Sequence, residues 1–320
     1  AADTAARAEL RTRIGDLLRV ELSSPAEALE QYKLVLDEAP EHTGAIAALR
    51  AIADSEEDLR VEATEVLLPF LRAGDKHEDR VAVLELRAGS LTEPGDRAEV
   101  LGELASVLDE KLDRPTDALK AMLRALDELP EREDLHGSAE RLARRVGASA
   151  AEGDEQKRAG YALYADALSA RAERVLDPEV AKSLWARLGR LAELELDDPK
   201  RAAEAYSKAL EHAGDDVDLL SSLDRLYERL GEHRALVEVL ERRIPLGSAE
   251  EQADLLHRIA KTQIVAFKDV PQGLSSLRSA LERFPGHAGA RATLEELTAD
   301  PAYFTEVSEI LEDVYRSSSD

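Results

Sequence analysis

The chain has 320 residues, a formal net charge of −25, 44% apolar residues and no cysteine. An acidic surface without a basic block repels polyanions, so nucleic acid is not an expected partner. Without cysteine there is no disulfide, thiolate nucleophile or cysteine-based zinc site, and no apolar run reaches the ~18 residues of a membrane span, so no direct membrane insertion is expected. Ala, Leu, Glu and Arg dominate, all strong helix formers, while alternating β-branched patterns are scarce. The expected fold class is all-α.

Helical periodicity begins at once. Residues 2–22 read as a helix with Leu10, Ile14, Leu17 and Leu18 on one face. A second helix spans 25–38 and is stopped by Pro40; a third covers 41–54. The next, 56–73, carries Val61, Val66, Leu67 and Leu71, and Pro69 kinks it or starts a new segment. Helices over 76–91, 96–112, 115–129 and 131–146 follow. The stretch 147–154, GASAAEGD, is the most loop-like and reads as an inserted loop. A long helix over 155–176 ends at Asp177-Pro178. Then come 179–196, 199–212, 215–230 and 232–244, and finally 249–267, 271–283, 286–298 and 301–316. Asp300-Pro301 reads as a cap with a first-turn proline, and the closing SSSD as a frayed tail. Seventeen helices result, paired as antiparallel hairpins.

The segment 183–214 shows the internal pattern most fully. Trp185, Leu188 and Gly189 stand as W-x2-L-G, Ala202, Tyr206 and Ala209 follow as A-x3-Y-x2-A, and Gly214 ends it. Gly15, Ala105 and Ala260 occupy the place of Gly189, each after Ile or Leu. Thirteen residues on come Ala28, Ala118, Ala202 and Gly273; seventeen on come Tyr32, Met122, Tyr206 and Leu277. Small residues let two antiparallel helices approach, and large ones fill the wedge between hairpins. The copies start 90, 84 and 71 residues apart, too far for single hairpins. Each is read as a unit of two hairpins, approximately 1–92, 93–176, 177–247 and 248–320, within one domain over 1–320.

This pattern resembles the tetratricopeptide repeat, a helix–turn–helix unit of about 34 residues. The resemblance implies a right-handed superhelix of antiparallel hairpins, an α-α solenoid, and leaves the ligand open. In one respect the chain departs from the family. The Gly189-to-Ala202 spacing of thirteen is one residue longer than usual. The extra residue falls in the inter-helix turn, at Ser23–Pro25, Asp113–Pro115, Asp197–Pro199 and Lys268–Pro271. Ser or Asp before Pro is a helix start arrangement.

Catalytic motifs are absent: no HExxH, G-x-S-x-G, S-x-x-K or P-loop occurs. The seven histidines are never three or four residues apart, which excludes a helical two-His metal pair. No cofactor or metal is therefore expected, and no enzymatic activity. Asp215–Asp218 starts like a calcium loop but lacks its glycine, and reads as helix N-terminal charge. Trp185, Tyr161, Tyr164, Tyr227, Tyr303 and Phe304 stand at apolar helical spacing and are expected to pack; Arg141–Arg145, RLARR, reads as a solvated face with local salt bridges.

In the resembled family the first helix of each hairpin lines a concave groove. Positions three before, one after and four after the glycine column face it. Carried onto this chain, these are Thr12, Asp16 and Arg19; Gly102, Ser106 and Asp109; Ala186, Arg190 and Glu193; His257, Lys261 and Ile264. This mixed polar set suits capture of an extended peptide or a helix from a protein partner. Chaperone-binding relatives clamp a carboxylate with Lys and Asn, and this chain has no Asn, which disfavours that use. The expected function is a non-enzymatic scaffold or adaptor of a multiprotein assembly. Arg-over-Lys usage with abundant Ala and Leu reads as a bacterial, high-GC composition. The alternative is a regulatory or substrate-recruiting arm of a larger enzyme or sensor, since the chain starts at Ala1 without Met. Exposed solenoid ends would also allow self-association. The lack of cysteine favours the cytoplasm without excluding the periplasm.

Overall fold

Proline and side-chain acceptors start many of the helices. Pro25, Pro94, Pro115, Pro178 and Pro199 each open one, where the missing N–H has no helical partner to lose. Asp177, Asp198, Asp216 and Asp269 accept from the first free amides of theirs, and Ser248 closes a reciprocal capping box with Glu251. The computed structural model describes residues 2–149 and 154–317, and all regular structure among them is helical.

Seventeen α-helices are present among the described residues, in two compact units, Ala1–Ala167 and Leu168–Asp320. The first holds α1 (Ala2–Val20), α2 (Pro25–Glu38), α3 (Thr43–Ser55), α4 (Arg60–Ala73), α5 (His77–Ser90), α6 (Pro94–Glu110), α7 (Pro115–Glu128) and α8 (Glu133–Ser149). The unit boundary falls within α9 (Asp154–Ala172). The second unit continues with α10 (Pro178–Leu194), α11 (Pro199–Ala213), α12 (Val217–Leu230), α13 (His233–Arg243), α14 (Ala249–Val265), α15 (Val270–Arg283), α16 (Ala288–Leu297) and α17 (Phe304–Ser317). Within each unit a helix packs chiefly on its neighbour in sequence, most extensively in the pairs α1–α2, α6–α7, α10–α11 and α14–α15. These four pairs are the four copies of the sequence pattern.

The small–large columns act as their volumes require. A Cβ on Gly15 would lie 2.6 Å from the Tyr32 ring, and one on Gly189 would lie 2.5 Å from the Tyr206 ring. Ala28, Ala118, Ala202, Ala125 and Ala209 are buried, as are Trp185 and Leu188. The extra turn residue is the same structural device four times. Ser23, Asp113, Asp197 and Lys268 all have positive φ, between 50° and 59°. The amide after each reaches back across the end of the first helix: Ser24 to Leu18 O, Arg114 to Leu108 O, Asp198 to Ala192 O and Asp269 to Gln263 O. That is a left-handed helix stop, here made by residues other than glycine.

Some helix limits differ from the sequence-based expectation. The third and sixteenth helices start later, because His42 and His287 cap them: each Nδ1 accepts an amide, from Ala45 at 3.1 Å and from Ala290 at 2.9 Å. The expected helix over 56–73 begins instead as a 3-10 turn, Glu57–Leu59, and Pro69 lies inside α4. Of the expected loop 147–154, Gly147–Ser149 extend α8, while 150–153 lie outside the described residues. The last helix starts at Phe304, not 301, and Asp300 instead closes a turn by accepting from the Ala302 amide. Phe304 does not pack as expected; it is 54% exposed. Residues 318–320 of the expected frayed tail lie outside the described residues.

Candidate functional site

The twelve positions mapped from the glycine column fall into three sets. The column one residue after it is exposed in all four copies: Asp16, Ser106, Arg190 and Lys261. The column four after it is turned to work inside the fold. Asp109 is buried, and its carboxylate takes Arg141 Nη1 and Arg145 Nη1, both at 3.1 Å. Glu193 takes Arg225 Nη1 at 3.0 Å and the Tyr206 hydroxyl at 3.3 Å. Arg19 is partly buried, and Ile264 packs on the core of α14–α17. The column three before is mixed. Thr12 is buried and donates to Ala8 O at 2.9 Å; Gly102 faces open space; Ala186 is partly buried. His257 shares a 2.9 Å hydrogen bond with Thr293 and meets His287 edge-on at 5.2 Å.

These internal ties repeat. Asp109–Arg141 and Glu193–Arg225 join the first helix of one hairpin to the first helix of the next, 32 residues on. So do Asp113–Arg145 and Asp197–Arg229, both 2.9 Å, between the turn and that same next helix. All four lie one repeat step of 84 residues apart in pairs. RLARR is thus a row of struts, as the salt-bridge reading of that segment held. The signal was available as opposite charges 32 apart, but a chain with 67 acidic residues offers too many such pairs to single these out.

A second set of charges ties the first helix of a copy to the helices before it. Glu103 on α6 accepts from Arg72 on α4, at 2.5 and 2.8 Å, and from Arg80 on α5 at 2.6 Å. The Arg72 hydrogen bond holds its carboxyl below the usual range. Asp224 on α12, buried, takes Arg243 of α13 at 2.5 Å and Arg258 of α14 at 2.6 and 2.7 Å. Glu103 and Arg258 stand at the same place, two before the small-residue column, with opposite sign. Close to this junction a cleft of about 240 Å³ is lined by Val217, Arg243, Leu246, Asp254, Leu255 and Arg258.

Tyrosines complete the pairing. Tyr32 donates to Asp16 at 2.8 Å; burial first, and this bond second, pushes its phenol up to about 12. Tyr206 is pushed to about 12 in the same way, by burial and then by Glu193. Burial, then His287 and Lys261, lowers His257 from its ordinary value. His136, buried, bonds Tyr164 at 2.6 Å and Pro130 O at 2.8 Å. Trp185 packs as expected, with the Lys208 ammonium 4.3 Å above its ring. Among the described residues no cluster of three His, Cys, Asp or Glu is placed to hold a metal, and no helix is long and apolar enough to cross a membrane.

No protein-family model and no curated protein matches the chain. Solved structures of helical-repeat proteins do. The MamA protein shares 13% identity over 76% of this chain and 95% of its own, at a TM-score of 0.28. The C-terminal part of a TPR repeat-containing protein from Cytophaga hutchinsonii shares 13% over 81% and 97%, at 0.33. The TPR2AB domain of yeast Sti1, in complex with pHSP90, shares 15% over 92% and 99%, at 0.26. The helix-hairpin fold of this chain is read from its own packing, in which the Tyr32 ring meets Gly15 and the Tyr206 ring meets Gly189.

Proposed function

We propose that the chain is a non-enzymatic protein-interaction scaffold that takes a peptide or helix of its partner on the exposed first-helix positions of its second unit, Arg190 and Lys261. The observation that carries this reading is the division of labour among the mapped positions. The residues of the other two columns are buried or partly buried, while Asp16, Ser106, Arg190 and Lys261 are exposed, Asp16 also accepting from the Tyr32 hydroxyl. In the second unit both exposed positions are cationic, which suits carboxylates or backbone carbonyls of an extended segment. A bacterial assembly as the setting is part of the same proposal, on composition. The test is affinity capture from native lysate with wild type and an Arg190→Glu/Lys261→Glu double variant, followed by cross-linking of the captured partner. A partner lost with the variant and cross-linked beside Arg190 or Lys261 supports the reading. Identical capture by both proteins overturns it.

A further inference from the structure

Two helices carry exposed apolar side chains at positions whose counterparts in another copy are covered. On α1, Leu10, Ile14 and Leu17 form a stripe at i, i+4 and i+7 that is 61%, 41% and 52% exposed. The residues at the same positions of α14, Leu255 and Ile259, are 7% and 2% exposed. On α6, Leu104 and Val107 are likewise buried. What covers α14 is explicit. Leu236, Val237 and Leu240 of α13 pack on Leu255 and Ile259, with Tyr227 and Ile244 beside them.

Seventy-one residues on, α17 is the counterpart of α13. Leu236, Val237, Leu240 and Ile244 correspond to Val307, Ser308, Leu311 and Tyr315, of which Val307 is buried in the core of α14–α17 and Ser308 is polar. Phe304 lies one turn earlier on the same face. Phe304 and Tyr315 are exposed, and Leu311 is half-buried. The rest of the exposed side of α17 is polar, with Thr305, Glu306, Glu309, Glu312, Asp313 and Arg316, so its apolar face is the narrow line from Phe304 to Tyr315.

The charges fall in the same frame. Arg258 of α14 holds Asp224 of α12. Its counterpart on α1 is Arg13, which is exposed; the counterpart of Asp224 is Glu295 on α16, exposed and accepting from the Tyr315 hydroxyl at 2.9 Å. The helices are complementary overall: α1 carries four Arg against three carboxylates, and α17 four carboxylates against one Arg.

We infer that the chain binds a second copy of itself head to tail, α17 of one copy covering Leu10, Ile14 and Leu17 of the next, with Arg13 of one paired to Glu295 of the other. Such an interface is heterologous, so a joined pair keeps one free face of each kind. It is the α13–α14 junction made between molecules. It goes beyond the peptide-binding reading and does not depend on it.

Sedimentation velocity tests it, across about 10 to 500 µM, where small and transient interfaces become populated. Wild type is expected to grow in mass with concentration. Leu10→Glu/Leu17→Glu blocks one face and Phe304→Glu/Tyr315→Ser the other; all four side chains are exposed, and unchanged circular dichroism melts check the fold. Each blocked variant is expected to stay monomeric alone. Their equimolar mixture is expected to give a dimer and nothing larger, because only one pair of faces remains. Arg13→Glu and Glu295→Arg are each expected to weaken assembly, and the double variant to restore it. A wild type that stays monomeric, or a mixture that does, overturns the inference; α1 would then be covered by another segment or another protein. A blocked variant that still assembles like wild type overturns it in favour of a symmetric contact.

Discussion

Gly189 and Gly102 lie in equivalent first helices, and the residues around them make opposite demands. The Tyr206 ring fills the space where a Cβ on Gly189 would sit, whereas nothing lies within 4 Å of one on Gly102. Gly189→Ala is expected to destabilise by about 1–3 kcal/mol through overpacking. Gly102→Ala is expected to stabilise by about 0.5–1 kcal/mol, since alanine loses less freedom in a helix. Urea denaturation of both variants checks the pair, and equal effects would contradict the packing argument. Tyr32 and Tyr206 have phenols raised to about 12 by burial and then by Asp16 and Glu193. A phenol raised in the folded state holds its proton where the unfolded chain has lost it. Its contribution is complete below about pH 10 and is lost as pH rises through 12. A Tyr32→Phe/Tyr206→Phe variant should therefore show a shallower fall in thermal midpoint between those values. Most of this scale was legible in advance: Gly15, Gly189, Ala202 and Tyr206 declare their roles by volume alone. Gly160 did not. A Cβ there would run into the backbone of Ala143, but Gly160 belongs to no repeating column, so only the folded backbone reveals the contact.

The element that repeats most faithfully is a turn rather than a helix. Ser23, Asp113, Asp197 and Lys268 hold φ between 50° and 59°, a region that costs a side chain about 1–2 kcal/mol. Asp tolerates it best of the three residue types, and Asp113 and Asp197 also reach Arg145 and Arg229. Lys268 has the least reason to accept the strain. Lys268→Gly is expected to raise stability by about 1 kcal/mol, measured by chemical denaturation; a loss would mean that the Lys268 side chain makes a contact worth more than the strain. The sequence located this extra residue through the fixed thirteen-residue spacing but not its conformation, which no residue type here advertises. Helix starts were harder where histidine caps. His42 and His287 are not the usual Ser, Thr, Asp or Asn, so α3 and α16 were expected about two residues early. The groove mapping met a similar limit. Asp109 looked like a ligand-facing carboxylate because nothing local shows that Arg141 and Arg145, a hairpin away, fold over it.

At the scale of the molecule, a net charge of −25 acts on every helix at once. Arginines are spread along both units as struts between carboxylates, so the attraction within the fold is short-ranged while the repulsion is not. Charges closer than the screening length feel each other at any salt; distant ones do so only when salt is low. The screening length falls from about 30 Å at 0.01 M salt to about 8 Å at 0.15 M. That change removes most of the long-range repulsion and leaves pairs such as Glu103–Arg80, at 2.6 Å, nearly intact. The thermal midpoint is therefore expected to rise as sodium chloride goes from about 0.01 to 0.15 M, and to change little beyond. A midpoint that falls steadily over the same range would show that the exposed ion pairs outweigh the net charge. The same balance governs association between copies. Two chains of the same sign approach more easily once their net fields are screened, while Arg13 and Glu295 meet at contact distance, where screening matters least. If α1 and α17 join copies, self-association should strengthen over the salt range that stabilises the monomer, opposite to the behaviour of a complex held by long-range attraction.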